Sequence, residues 1–156
     1  MQETLITFET AKLAKEKGLQ LGSERQYVEY HKTYKYDGDA THPESYKKGD
    51  VRLGSCSYIV NNRDGIDFSN KYYTLYEAPT QSLLQKWLRE VHRTDITVIT
   101  DWKQGVRVYY VGFSFVNTEN KIDIWFSKDE NNNKIEYSDY EEALEIALQE
   151  ALKLIK

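Results

Sequence analysis

The chain has 156 residues, enough for one domain with a real core, and contains no run of about 18 apolar residues that could span a membrane. Its formal net charge is −4, and residues 128–156 carry four Lys against eight Asp and Glu, which disfavours nucleic-acid binding. The single cysteine, Cys56, excludes an internal disulfide or a thiolate metal cluster. Its strand-like surroundings favour a buried structural role over a catalytic one.

The first predicted element is a short helix. Thr7 is a suitable N-cap for the segment FETAKLAKEK, and Gly18 supplies a left-handed stop. The region that follows is rich in tyrosine, and its alternation predicts strands within YVEYHKTYKY, VRLGSCSYIV and KYYTLY. The N-terminal residues mix both charges without the layout of a secretion signal, so we expect a soluble, non-secreted protein.

A second helix is predicted after Pro79 and Thr80, because the segment QSLLQKWLREVH carries one apolar stripe at helical spacing. Within this stripe Trp87 is predicted to anchor the core rather than to bind a ligand. His92 falls at the C-terminal end of the helix, where a positive charge is favourable.

Three strands and a last helix complete the chain. The strands are DITVITDW, VRVYYVGFSFV and KIDIWFS, joined by turns at KQG and NTEN. If the first hairpin closes at KQG, Trp102 faces Val106 and Asp101 faces Arg107. The last helix is predicted to begin at Ser138, because S-D-Y-E has the form of a capping box.

This three-stranded meander is predicted to be apolar on both faces. With the turn at KQG, one face holds Ile99 and Phe113, and the other holds Trp102, Val108 and Trp125. An antiparallel sheet with one buried face should instead alternate apolar with polar side chains. Something must therefore cover the second face, either the tyrosine-rich region of the same chain or a partner molecule.

These elements predict an α+β fold, with an antiparallel sheet extended or covered by the tyrosine-rich region. We expect a single domain over residues 1–156, with an N-terminal helix in 1–24, the tyrosine-rich β region in 25–77 and an α-β-β-β-α unit in 78–156. Aromatic side chains anchor many protein interfaces, so those at the rim of the second face are candidate binding residues. They are Tyr30, Tyr34, Tyr36, Trp102 and Trp125.

Motifs for catalysis are not apparent in the sequence. The polar segment that contains Asp37, Asp39, His42 and Glu44 fits neither a calcium loop nor a zinc-binding helix, so we expect no metal site, no cofactor and no catalytic residue. Double-stranded RNA-binding domains share the order helix, three strands, helix. They grip phosphates with lysines at the start of the last helix, however, where this chain reads SDYEE, and nucleic acid is therefore not the expected partner.

The segments FETAKLAKEKG, APTQSLLQKWLREVH and YEEALEIALQEALKLIK together resemble a group of short proteins encoded by bacteriophages and prophages of gut bacteria. The resemblance implies no activity, cofactor or site residue. It implies a small accessory protein of the bacterial cytoplasm or the virion, which binds a host factor, a defence component or a virion part without acting as an enzyme. A homo-oligomer through the same aromatic surface is also consistent with the sequence.

Two alternatives remain open at this point. One is a protein that binds or sequesters a small ligand or nucleotide, with stacked tyrosines holding a base. The other is a hydrolase whose site is built from carboxylates, since two such groups can meet from anywhere in a fold.

Overall fold

A computed structural model describes residues 3–31, 47–55, 73–116 and 122–155 of the chain. The α+β class predicted from the sequence is confirmed. In chain order, the helices and strands of this part are α1 (Phe8–Glu16), β1 (Arg25–Tyr30), β2 (Val51–Ser55), β3 (Tyr73–Glu77), α2 (Gln81–His92), β4 (Thr94–Lys103), β5 (Val106–Val116), β6 (Ile122–Phe126) and α3 (Tyr140–Leu154).

The helices begin at capping side chains. Thr7 and Thr80, both predicted as start signals, accept a backbone N–H from the first turn of α1 and α2 with their hydroxyls. The prediction for α3 is wrong by one residue, because its N-cap is Asp139 and not Ser138. The Asp139 carboxylate accepts the backbone N–H of Glu142 at 2.9 Å, and Ser138 stands one residue too early to reach that turn.

The strands form two separate antiparallel sheets, in the orders β2-β1-β3 and β4-β5-β6. The predicted α-β-β-β-α unit is present as α2, β4 to β6 and α3. In the part of the chain that the structure describes, the tyrosine-rich region makes its own sheet and does not extend the meander by strand pairing.

The described helices contact both sheets. Helix α3 packs on β4 and β5, α2 packs on α3 and β4, and α1 packs on α3 and β3. Their shared core includes Leu84, Leu88, Leu144, Leu148 and Leu152, all of them buried. Trp87 joins this cluster with only 9% of its surface exposed, so its predicted role as a core anchor is confirmed.

Burial governs the charge of His92. Its ring centroid lies 4.4 Å from that of Trp87. Burial, together with the nearby Lys17, lowers the pKa of His92 and so favours the neutral ring. The favourable effect of a positive charge at the helix end is therefore outweighed at this residue.

A buried carboxylate joins the three helices. Glu145 of α3 accepts the backbone N–H of Thr7 at 2.7 Å, the hydroxyl of Thr10 at 2.5 Å and the side-chain amide of Gln81 at 2.8 Å. Thr10 and Gln81 are themselves buried. Buried polar groups are tolerated where they are hydrogen-bonded, and this set fixes the start of α1 and of α2 against α3.

The hairpin of β4 and β5 closes one residue differently from the prediction. Its turn contains two residues, Gln104 and Gly105, whose φ angles are both positive at 51° and 81°. Such a turn matches the twist of a hairpin, and it pairs Trp102 with Arg107 instead of Val106. Because side chains alternate along a strand, a change of one residue moves all of β4 to the other face relative to β5.

The predicted membership of the two faces is therefore wrong. Trp102 shares a face with Phe113, together with Ile96, Val98 and Val111, and the helices cover most of that face. We call it the inner face. The opposite, outer face carries Ile99, Val106, Val108, Tyr110 and Phe126.

Candidate binding surface

The outer face is covered near β6 and open near β4. Phe126 lies over Gly112, where an added Cβ would stand only 3.3 Å from the Phe126 ring, so a larger residue would require the ring to shift. The ammonium of Lys134 lies 4.1 Å from the centroid of Phe126 and 5.7 Å from that of Tyr110. Towards the hairpin turn the cover ends, and Ile99 is 39% exposed.

A tight turn after β6 places Lys134 on this face. The carboxylate of Asp129 accepts the backbone N–H groups of Asn133 and Asn131, at 2.8 and 2.9 Å. These bonds lower the pKa of Asp129, with that from Asn133 the larger cause. The chain then returns along β5 and pairs with it at Tyr137.

Among the predicted binding residues whose side chains the structure describes, Trp102 has the most exposed ring. It lies on the inner face at the turn end of the hairpin, with 60% of its surface exposed. The guanidinium carbon of Arg107 lies 5.1 Å from the centroid of its ring. Asp101 accepts the Trp102 backbone N–H at 2.7 Å, which fixes the backbone here.

The inner face continues from Trp102 as a row of aromatic side chains. Tyr109 is the diagonal neighbour of Trp102 across the two strands, and its ring meets that of Tyr140 edge-on at 6.0 Å. Tyr140, in the first turn of α3, is 40% exposed. We call Trp102, Arg107, Tyr109 and Tyr140 the aromatic strip.

The charges beside the strip differ in how they are satisfied. Lys103 donates to Glu136, and this bond raises the pKa of the lysine. Arg107 contacts the Trp102 ring and has no carboxylate partner among the residues that the structure describes. The strip therefore combines exposed aromatic surface with a cation that can still bind an anion.

Of the remaining candidate residues, Tyr30 does not join the strip. Tyr30 belongs to β1 in the other sheet, where its ring lies 6.5 Å from that of Tyr73. Tyr34 and Tyr36 lie outside the described residues. Trp125 is paired with Phe113 by strand register, and only its backbone is described.

The tyrosines between α1 and the first sheet serve the fold. The rings of Tyr27 and Tyr76 pack edge-on against Phe8, with centroids 5.6 and 5.3 Å from it. The Tyr27 hydroxyl donates to the Ile6 carbonyl, and burial is the main cause that raises its pKa. Such bonded, edge-on rings do not offer a flat platform for a nucleobase.

Tyr76 forms a second polar contact at this position. Its hydroxyl donates to Glu29 at 2.7 Å, and this bond is the main cause that lowers the pKa of Glu29. Burial, followed by the same bond, raises the pKa of Tyr76 to about 12. The Lys12 ammonium also contacts Glu29, at 3.3 Å.

A cleft of about 350 Å³ lies between the end of α1 and β3. Most of its polar groups are already bonded within the chain. Lys15 donates to the Leu75 carbonyl, and Glu77 accepts the backbone N–H groups of Leu21 and Gly22. The side-chain oxygen of Gln26 is buried there without a hydrogen-bond partner among the described residues.

In the described ranges, no three His, Cys, Asp or Glu side chains are grouped so that they could hold a metal ion. Cys56, Asp37, Asp39, His42 and Glu44 all lie outside those ranges. No helix in the described residues is long and apolar enough to cross a membrane. Comparisons of the chain with protein-family models, with curated proteins and with solved structures give no match.

Sequence reasoning selected Trp102 but missed the rest of the strip. The predicted hairpin pairs Arg107 with Asp101 instead of Trp102, and neither Tyr109 nor Tyr140 is among the predicted binding residues. The signal that could have placed them is the glycine at position 105, because a two-residue hairpin turn favours glycine as its second residue.

Proposed function

We propose that this protein acts by binding another protein through the aromatic strip. The observation that carries this proposal is the exposed Trp102 ring with the Arg107 guanidinium 5.1 Å from its centroid. Tryptophan, tyrosine and arginine provide a large share of the binding energy at protein interfaces. An exposed tryptophan gives little stability to the fold, since most of its ring stays in contact with water.

The chemistry of the strip indicates the partner. Arg107 can donate two hydrogen bonds to a carboxylate in a bidentate contact, and the Trp102 ring beside it offers an apolar surface. Tyr109 and Tyr140 extend that surface toward α3. The matching partner is a protein segment with Asp or Glu next to an apolar side chain.

The resemblance to phage and prophage proteins supplies the proposed context. We place the protein in the cytoplasm of a bacterial host, where the partner is a host factor or a defence component, or in association with the virion. In this proposal the protein has no catalytic activity and needs no cofactor.

Capture experiments with matched variants test the proposal. Purified wild type, Trp102→Ala and Arg107→Glu are used to capture partners from host cells, and affinity is then measured for each captured protein. Loss of a tryptophan or arginine at the centre of an interface typically costs about 2 kcal/mol or more, so we expect affinity to fall at least about 30-fold. Val106→Ala, on the outer face of the same hairpin, is the control and should bind as wild type does.

A partner that binds Trp102→Ala and Arg107→Glu as tightly as wild type would contradict the proposal. The melting temperature of each variant is measured first, since both side chains are exposed and neither change should unfold the chain.

A small-ligand function has one observation in its favour, the unpartnered side-chain oxygen of Gln26 in the cleft beside α1. A thermal-shift screen with nucleotides tests it directly. A ligand at 100 times its dissociation constant stabilises the fold by about 2.7 kcal/mol, and the absence of any shift removes this alternative.

A further inference from the structure

Strand β4 lies at the edge of its sheet. β4 is an edge strand of ten residues, and no strand in the described residues pairs with its outer side. On β5, Tyr109 and Val111 bond Tyr137 and Ser127, on the side away from β4. Along an antiparallel strand, the backbone N–H and C=O groups of successive residues point alternately to the two neighbouring strands. Thr100 and Val98, which face Tyr109 and Val111, therefore direct these groups away from β5. By the same alternation, Ile96 and Trp102 also direct their backbone groups outward.

Groups at both ends of this edge are bonded within the chain. The Ile96 carbonyl accepts the side-chain amide of Gln85 at 2.8 Å. The Trp102 N–H donates to Asp101 at 2.7 Å. Between them, the N–H and C=O groups of Val98 and Thr100 have no hydrogen-bond partner among the described residues. An edge with such groups is a template for another strand.

We infer that a second copy of this chain pairs with β4 in antiparallel orientation, about a two-fold axis at Ile99. In this register Val98 of each copy faces Thr100 of the other, so all the free groups of the edge are bonded. Ile96 faces Trp102 of the second copy. The Ile96 carbonyl already accepts a hydrogen bond from Gln85, and the Trp102 N–H already donates one to Asp101. These two groups lie opposite each other in this register, so pairing of the two copies requires neither bond to break.

The side chains are complementary in the same register. On the outer face, Ile99, which is 39% exposed, lies against Ile99 of the second copy. Asp95, which contacts Arg89 of its own chain at 3.5 Å, faces Lys103 of the second copy, which donates to Glu136 of its own chain. Thr97 faces Asp101. Opposite charges on facing strands stabilise pairing. A second copy supplies the register and the charges by symmetry, whereas an unrelated strand would have to match both. The product is one continuous sheet of two meanders.

This inference shares Trp102 with the proposed function, because Trp102 faces Ile96 of the second copy, but its main supports and its tests use other residues. It depends on the edge groups of Val98 and Thr100 and on Ile99 of the outer face, whereas the proposed function depends on Trp102 and Arg107 of the inner face. The two can therefore fail separately.

Charge variants at the two-fold axis give a direct test by size-exclusion chromatography with light scattering. Wild type should have twice the mass of one chain. Ile99→Lys and Ile99→Glu place like charges opposite each other and should each be monomeric, whereas their equimolar mixture should dimerise. Val106→Lys, which changes an exposed residue of the same face away from the edge, should remain dimeric.

A wild type that is monomeric up to its solubility limit overturns the inference. So does an Ile99→Lys variant that stays dimeric, or a mixture of the two variants that stays monomeric. Amide hydrogen exchange gives a readout without any substitution. The N–H groups of Val98 and Thr100 should be protected at high concentration and exchange rapidly on dilution, while those of Thr97 and Ile99, bonded to β5, stay protected throughout. Equal exchange of Val98 and Thr100 at both concentrations also overturns it.

Discussion

The variant Glu145→Ala removes the carboxylate that joins α1, α2 and α3, and we expect it to destabilise the fold by about 3–5 kcal/mol. The Thr7 N–H loses its partner at 2.7 Å, and an unsatisfied donor of this kind costs about 1–3 kcal/mol. Thr10 keeps a bond from Gln149, and Gln81 keeps one to the Glu141 carbonyl. Each of these two therefore loses only about 1 kcal/mol.

Urea denaturation measures this change. With a slope of about 2 kcal/mol per molar urea, the midpoint should fall by about 1.5–2.5 M. The control is Glu142→Ala on the same helix, whose exposed side chain should change the stability by less than about 0.5 kcal/mol. If Glu145→Ala and Glu142→Ala unfold at the same urea concentration, the buried carboxylate does not hold the helices together.

The conservative variant Glu145→Gln separates hydrogen bonding from volume. Its amide nitrogen would face the side-chain nitrogen of Gln81, which places two donors against each other. Gln81 cannot reverse its amide without loss, because the same nitrogen donates to the Glu141 carbonyl at 3.1 Å. We expect Glu145→Gln to fall between wild type and Glu145→Ala.

Two further predictions concern Tyr76 and Gln104. In Tyr76→Phe the pKa of Glu29 should rise toward its ordinary value of 4.5, because the hydroxyl that lowers it is lost. A carboxyl group whose pKa is lowered by folding stabilises the folded state at pH values above its ordinary pKa. This contribution is lost as the pH falls through the folded-state pKa. Wild type should therefore lose more stability than Tyr76→Phe on acidification below pH 4.5. An NMR titration in which the pKa of Glu29 is the same in both proteins would count against the contact. Gln104 has a φ of 51°, which asparagine tolerates better, so Gln104→Asn should stabilise the fold by about 0.5 kcal/mol and raise the melting temperature, while the β-branched Gln104→Val should lower it. The reverse order of melting temperatures would contradict a two-residue turn.

The helices of this protein could be predicted because their signals are local. Thr7 and Thr80 cap the segments that follow them, and Trp87 falls in an apolar stripe whose spacing matches the helical repeat. The one error, at the start of α3, is a choice between adjacent residues that can both act as N-caps. Asp139 and Ser138 differ in position by a single residue, which sequence patterns do not resolve.

The candidate binding surface could be predicted only in part, because it depends on pairing between strands. Trp102 was identified by its residue type and its place near the turn. Its neighbours were not, since a hairpin with one residue less in its turn exchanges the partners of β4 all along the strand. Arg107 beside Trp102, and Ile99 on the outer face, follow from that single difference.

By itself the sequence determined the starts of α1 and α2, the approximate strand positions, the α+β class and the apolar character of both faces of the meander. Each of these rests on interactions within a few residues or on a repeating pattern. The tertiary structure decided the separation of the two sheets, the burial of Glu145 between three helices and the register that sets which residues are exposed at the hairpin. These features join residues that are distant in the chain, and their energies depend on geometry that only the folded chain brings together.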